Sequence, residues 1–129
     1  MNSITITGSL GKEPELAYNN SGMPVCKFSV ATNHKKKNGE EETTWHNIAV
    51  FGDMAEHCAE SLAKGTRVVV IGRWENRQYE KRDGTTGYAN QIIADEVGVN
   101  LRFQVCDVSK PGKRGQQQQA PALDDEEPF

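Results

Sequence analysis

Two periodicities predict an all-β fold for this chain. Five stretches alternate apolar and polar residues at every second position, and a single stretch between the third and fourth repeats its apolar residues at helical spacing. Clusters of Gly, Pro, Asn and Asp separate these stretches and supply the turns. The expected architecture is a five-stranded, partly open Greek-key barrel with one short helix between strands 3 and 4, followed by a disordered C-terminal tail.

In chain order, "SITITGSL" puts Ile4 and Ile6 on one face, with Gly8 expected to mark a bend or bulge. "GKEPELAYNNSGMP" carries turn chemistry in Pro14 and in Asn19-Asn20-Ser21-Gly22. "PVCKFSVAT" turns Cys26, Phe28 and Val30 inward and Lys27, Ser29 and Ala31 outward. After the charged loop "NHKKKNGEEE" comes "TTWHNIAVF", the third strand. In "GDMAEHCAESLAKG", Asp53 is the expected N-cap, Met54, Cys58 and Leu62 form the buried stripe, and Lys64-Gly65 is the stop. "TRVVVIGRWENRQYEK" is a long strand that turns at Asp83-Gly84, and "GYANQIIADEVGVNLRF" returns as the last one. A helix placed there in a five-stranded barrel is the layout of an OB-fold, although small sandwiches share the same order.

The 129 residues divide into a folded unit, 1–109, a linker, 110–123, and a tip, 124–129. The linker is rich in Gln, Pro and Gly and has too few aliphatic residues to offset its ordering entropy, so it is expected to stay disordered. With 15 Lys and Arg against 18 Asp and Glu, the chain is not uniformly basic. The three cysteines, Cys26, Cys58 and Cys106, follow no disulfide or zinc spacing, so reduced thiols are expected. No signal peptide, and no apolar run of the roughly 18 residues needed to cross a bilayer, is seen, so a soluble, cytoplasmic protein is expected.

The third strand does not fit a simple core. Ile48 and Val50 share one face with His46, while Trp45, Asn47, Ala49 and Phe51 share the other. On the fourth, Val68, Val70, Gly72 and Trp74 lie together, opposite Arg73, Glu75, Arg77 and Tyr79. Trp74 reads as a packing residue. If Trp45, Phe51 and Tyr79 line one groove with Arg73 and Arg77, that surface suits single-stranded nucleic acid. Bases stack on aromatic rings at roughly 1–3 kcal/mol each, and Arg pairs with phosphates. Patterning alone leaves a second parity open, in which Trp45 and Phe51 fill the core. Lys35 and Lys36, in the charged loop, read either as a solvated surface or as a guide for a phosphate backbone. His46 has no nucleophile or carboxylate at a catalytic spacing and reads as a core or interface histidine. His57 and Glu60 fit an ordinary solvated helix face better than a metal site. No cofactor is expected.

The chain ends "DDEEPF". Asp124, Asp125, Glu126 and Glu127 precede Pro128 and a terminal Phe129, offering a partner one apolar anchor, a carboxylate and a negative cluster. The alternative is an acidic, solubilising tail.

These stretches resemble the bacterial single-stranded DNA-binding protein family, the homotetrameric kind. The resemblance is carried by "ITITGSLGKEPEL", "VCKFSVAT", "TTWHNIAVFG", "AESLAKGTRVVVIGR" and "DDEEPF". It implies an OB-fold that stacks bases on Trp45, Phe51 and Tyr79; together with the strand patterning, this sets Arg73, Arg77, Lys35, Lys36 and Asn47 along the bound strand. It also implies a homotetramer in which "SITITGSL", with Ile4 and Ile6, pairs across a two-fold axis near His46. Residues Asp124 to Phe129 would recruit DNA replication and repair proteins. Family members commonly carry Trp where Tyr79 stands, and an aromatic where "NHKKK" stands here. The expected protein is not an enzyme; it coats single-stranded DNA without sequence choice during replication, recombination and repair. An RNA-binding OB-fold, a nuclease using Asp53, Glu56 and Glu60, and a pure adaptor are the alternatives.

Overall fold

The structure, a computed structural model, describes residues 1–111. The tip at 124–129, and the linker beyond residue 111, lie outside them. Six strands and one helix follow in order: β1 (Ile4–Leu10), β2 (Glu15–Tyr18), β3 (Pro24–Lys35), β4 (Glu41–Phe51), α1 (Asp53–Ser61), β5 (Arg67–Glu80) and β6 (Thr86–Val99). The strand order β1-β5-β6-β4-β3 closes on itself where Ser9 and Leu10 of β1 pair with Ala31 and Val30 of β3. All pairings are antiparallel except the contact of β4 with β6 at Ile48–Ile92 and Ala49–Ile93. The five expected strands therefore form a closed barrel, with the helix between its third and fourth strands. The addition is β2, which lies in the segment read as turns and pairs with the first residues of β3.

Alternation sets what the barrel contains. Leu10, Cys26, Phe28, Val30, Ile48, Val50, Val68, Val70 and Ile92 point inward and are buried, as the two-residue period requires. Each fully buried Val, Leu or Ile contributes about 1.5–3 kcal/mol relative to exposure. Helix α1 adds Ala55 and Cys58 to the same cluster, and Leu62 at its C-cap joins them. Desolvation, with Cys26 beside it, pushes the Cys58 thiol up to about 12, so it stays protonated and inert at neutral pH.

Several local expectations differ from the structure. Gly8 makes no bend: β1 runs through it, and a Cβ there would strike the Ala31 carbonyl, so the glycine permits close strand approach. Asp53 is the first helical residue, not the cap. Gly52 takes the cap position at φ 79°, which a side chain would strain, and no side-chain cap bond forms. The carboxylates of Asp53 and Glu56 in the first turn complement the helix dipole instead. The helix ends at Ser61 rather than Lys64. The last strand stops at Val99, and the segment after it is pinned by Gln104, whose side chain bonds the Arg67 N–H and donates to the Arg67 and Asn100 carbonyls.

The two hairpins extend past the barrel. The β3–β4 pairing continues to Lys35–Glu41 and the β5–β6 pairing to Glu80–Thr86, forming two arms. A bulge opposite Ile71 and Gly72 inserts Asp95 and resets the alternation of β6 at the root of its arm.

Candidate nucleic-acid interface

Register places the groove residues. Across β3 and β4, Ala31 pairs with Trp45, Ser29 with Asn47, Lys27 with Ala49 and Val25 with Phe51. All eight therefore face away from the core. Trp45 is 57% exposed and Phe51 42%, which removes the alternative in which they fill the barrel. Ala49 and its β6 neighbour Ile93 lie on this outer side too. They are nonetheless buried, and Ala49 lines a groove on this face.

That groove holds a cavity of about 660 Å³ walled by Tyr18, Lys27, Phe51, Glu75, Arg77 and Gln91, among others. Lys27, Arg77 and Gln91 also line a second hollow of about 260 Å³, where they meet Lys12, Asn47 and Asn90. The two hollows, together the channel, adjoin through shared walls of Glu15, Lys27, Arg77 and Gln91, with Phe51 lining the first and Asn47 the second. Trp45 flanks it: its ring rests on the Gly11 backbone, where an added methyl would collide with the indole.

The other predicted residues sit at varying distances from this channel. Tyr79 follows Arg77 on the same strand face, 45% exposed, with its ring over Gly87 on the β5–β6 arm and outside both hollows. Arg73 lies on that face as well but reaches Asp95 at 3.9 Å and lines neither hollow. Lys35 and Lys36 are near the end of the β3–β4 arm, where the Lys36 ammonium lies 3.7 Å from Glu42. The structure thus gathers Phe51, Asn47 and Arg77, places Trp45 beside them, and sets Tyr79, Arg73, Lys35 and Lys36 farther out.

His46 points to the barrel side, partly buried, with Nε2 3.0 Å from the Thr32 hydroxyl. Burial lowers its pKa below the usual histidine value. Ile4 and Ile6 are half-buried against the core. Trp74, read as packing, is 53% exposed. Its parity is the inward one, opposite the buried Ile92, but the pairing of β1 with β5 ends at Gly72, so β1 does not flank Trp74 on its other side.

Sequence reasoning missed Tyr18, Lys12, Asn90 and Gln91 as groove residues. Tyr18 was hidden because "ELAY" shows no alternation of hydrophobicity. Its phenol donates to Glu56 Oε2 at 2.8 Å, tying β2 to α1, and this bond raises its pKa. Lys27 was legible, since its outward parity on the second barrel strand matches that of Trp45 and Phe51. Among the described residues no three His, Cys, Asp or Glu side chains gather as metal ligands, and no helix is long and apolar enough to cross a membrane.

The barrel and its outer channel define an OB-fold protein with an open, polymer-length surface rather than an enclosed small-molecule pocket. The profile of the single-strand binding protein family matches residues 1–100. The chain is 39% identical over 101 residues to a single-stranded DNA-binding protein of Neisseria meningitidis serogroup A, an alignment covering 75% of this chain and 58% of that one. It is 34% identical over 119 residues to the protein of that name from Mycobacterium leprae, covering 88% and 71%. With the Corynebacterium glutamicum protein of the same name it shares 35% over 119 residues, covering 88% and 53%. The chain belongs to the single-strand binding protein family. It spans about 58% of the length of the meningococcal relative.

Proposed function

We propose that this chain binds and protects single-stranded DNA without strong sequence choice, as a non-enzymatic coat during replication, recombination and repair. The observation that carries the reading is the exposure of Trp45 and Phe51 along a channel that also holds Lys12, Lys27 and Arg77. Bases stack on the rings, and the cations meet phosphates. Tyr79 adds a platform on the arm, while Arg73, Lys35 and Lys36 extend the positive path. Assembly as a homotetramer is supported by the free edge of β1: residues Ile4–Gly8 are paired to β5 on one side, and the link to β3 is confined to Ser9 and Leu10. A second copy pairing along that edge would cover Ile4 and Ile6 and lie near His46. The tip, Asp124, Asp125, Glu126, Glu127, Pro128 and Phe129, lies outside the described residues. Its sequence supports recruitment of DNA replication and repair proteins through the terminal aromatic and the carboxylates.

The test is a titration of intrinsic Trp fluorescence with poly(dT) at several salt concentrations, followed by competition with poly(U). Quenching should saturate at roughly 4–16 nucleotides per subunit. Each phosphate neutralised contributes about −0.7 to the slope of log affinity against log salt. Three channel cations therefore predict a slope of about −2 per subunit. Absence of quenching would overturn the reading, and displacement of poly(dT) by an equal concentration of poly(U) would favour an RNA-binding role.

A further inference from the structure

We propose that the Phe51 end of the channel is a guanine-preferring subsite, read by the Glu75 carboxylate. This inference rests on the single-stranded DNA reading and deepens it by naming the base. Glu75 stands on the β5 groove face, directly across from Gln91 of β6. Both side chains wall the 660 Å³ cavity together with Phe51, Tyr18, Lys27, Arg77 and a second carboxylate, Glu15, which stands on β2 and lacks the Gln91 bond that orients Glu75. The Gln91 amide donates to Glu75 Oε1 at 3.3 Å, which holds the carboxylate toward its cross-strand partner. Among the described residues, no Lys or Arg lies within salt-bridge distance of Glu75. An unneutralised carboxylate inside a channel for a polyanion repels phosphate, so it is the base edge that faces it.

The chemistry then selects among bases. A carboxylate is an acceptor with two oxygens. Guanine presents two adjacent donors, N1–H and the N2 amino group, that it can take as a pair, with O6 beside them as an acceptor. Gln91 and Arg77 are donors in the same cavity wall, so the wall offers two acceptors next to a donor, the complement of that edge. Thymine presents O2 and O4 on either side of one N–H, and both oxygens are repelled by the carboxylate. Phe51 and Tyr18 supply aromatic faces beside this edge-reading pair. Stacking alone would leave the four bases nearly equivalent; the acid at position 75 breaks that equivalence.

The experiment compares three oligonucleotides of one length by fluorescence anisotropy: all dT, dT with isolated dG at every third position, and the same with deoxyinosine, which lacks the N2 amino group. Spacing the guanines prevents four-stranded structures. The full chain should bind the dG oligomer about fivefold to tenfold more tightly than the inosine one. In Glu75→Gln that ratio should fall below about twofold, while affinity for dT rises because a negative charge leaves the channel. Binding of dT by the variant also reports that it is folded. Equal wild-type affinity for dG and inosine, or a preference that survives in Glu75→Gln, overturns the guanine subsite and leaves the single-stranded DNA reading standing. Failure of the wild type to bind any of the three overturns that reading, and the subsite with it.

Discussion

The ring of Trp45 lies against Gly11, where any side chain would collide with the indole, and it remains 57% exposed. Phe51 is fixed differently. It is the last residue of β4, and Gly52, with φ 79°, turns the chain away into α1 immediately after it, so the ring stays at the channel mouth. On the inner face of the same strand, burial lowers the pKa of His46. The fold therefore favours the neutral ring, whereas the unfolded chain takes up a proton near the ordinary value of about 6.5. Between that value and the lower folded one, the unfolded state binds more protons. The stabilisation is thus complete above about 6.5 and is lost as pH falls through the folded value. Urea unfolding at fixed protein concentration should show the midpoint dropping as pH is lowered from about 7.5 to 5.5, and the drop should shrink in His46→Gln. Parallel pH profiles for the two proteins would show that His46 is not the group responsible.

At the scale of elements, the two arms decide which side chains reach the strand. The β5–β6 pairing runs on after the β1 partner of β5 stops at Gly72, carrying Trp74 on one face and Arg77 and Tyr79 on the other, with the Trp74 N–H also donating to Asn2 Oδ1. Replacing Tyr79 by Ala should lower affinity for poly(dT) by about 1–2 kcal/mol, because one stacking platform is lost. The melting temperature should change little, since the ring covers Gly87 and no part of the core. Affinity retained in that variant would place the arm outside the DNA path. These elements also mark where the sequence was readable. The barrel strands were, because a closed core imposes strict alternation on β1, β3, β4, β5 and β6. The strand β2 was not: all four of its residues are exposed, so no alternation records it. Trp74 was misjudged because parity tells which face a residue is on but not where the barrel beneath it ends. Glu75 and Gln91 meet only through cross-strand register, and no local pattern signals that pairing.

Across the whole molecule the net charge is −3, and within the channel Lys12, Lys27 and Arg77 are matched in number by Glu13, Glu15 and Glu75. Six residues at the end, "DDEEPF", carry four of the 18 acidic groups. Attraction to a polyanion therefore arises from local geometry, and stacking supplies a share of affinity that salt does not screen. The barrel provides a rigid wall, β2 and the arms border it, and Trp45 and Phe51 are the rings set along it. The most direct measurement of this arrangement is poly(dT) affinity of the double variant Trp45→Ala with Phe51→Ala, with thermal melting followed in parallel. Loss of two stacked bases predicts affinity weakened by about 2–6 kcal/mol, with the melting transition kept because neither ring belongs to the core. Undiminished affinity in a folded double variant would contradict the account, since the strand would then be held by some surface other than this channel.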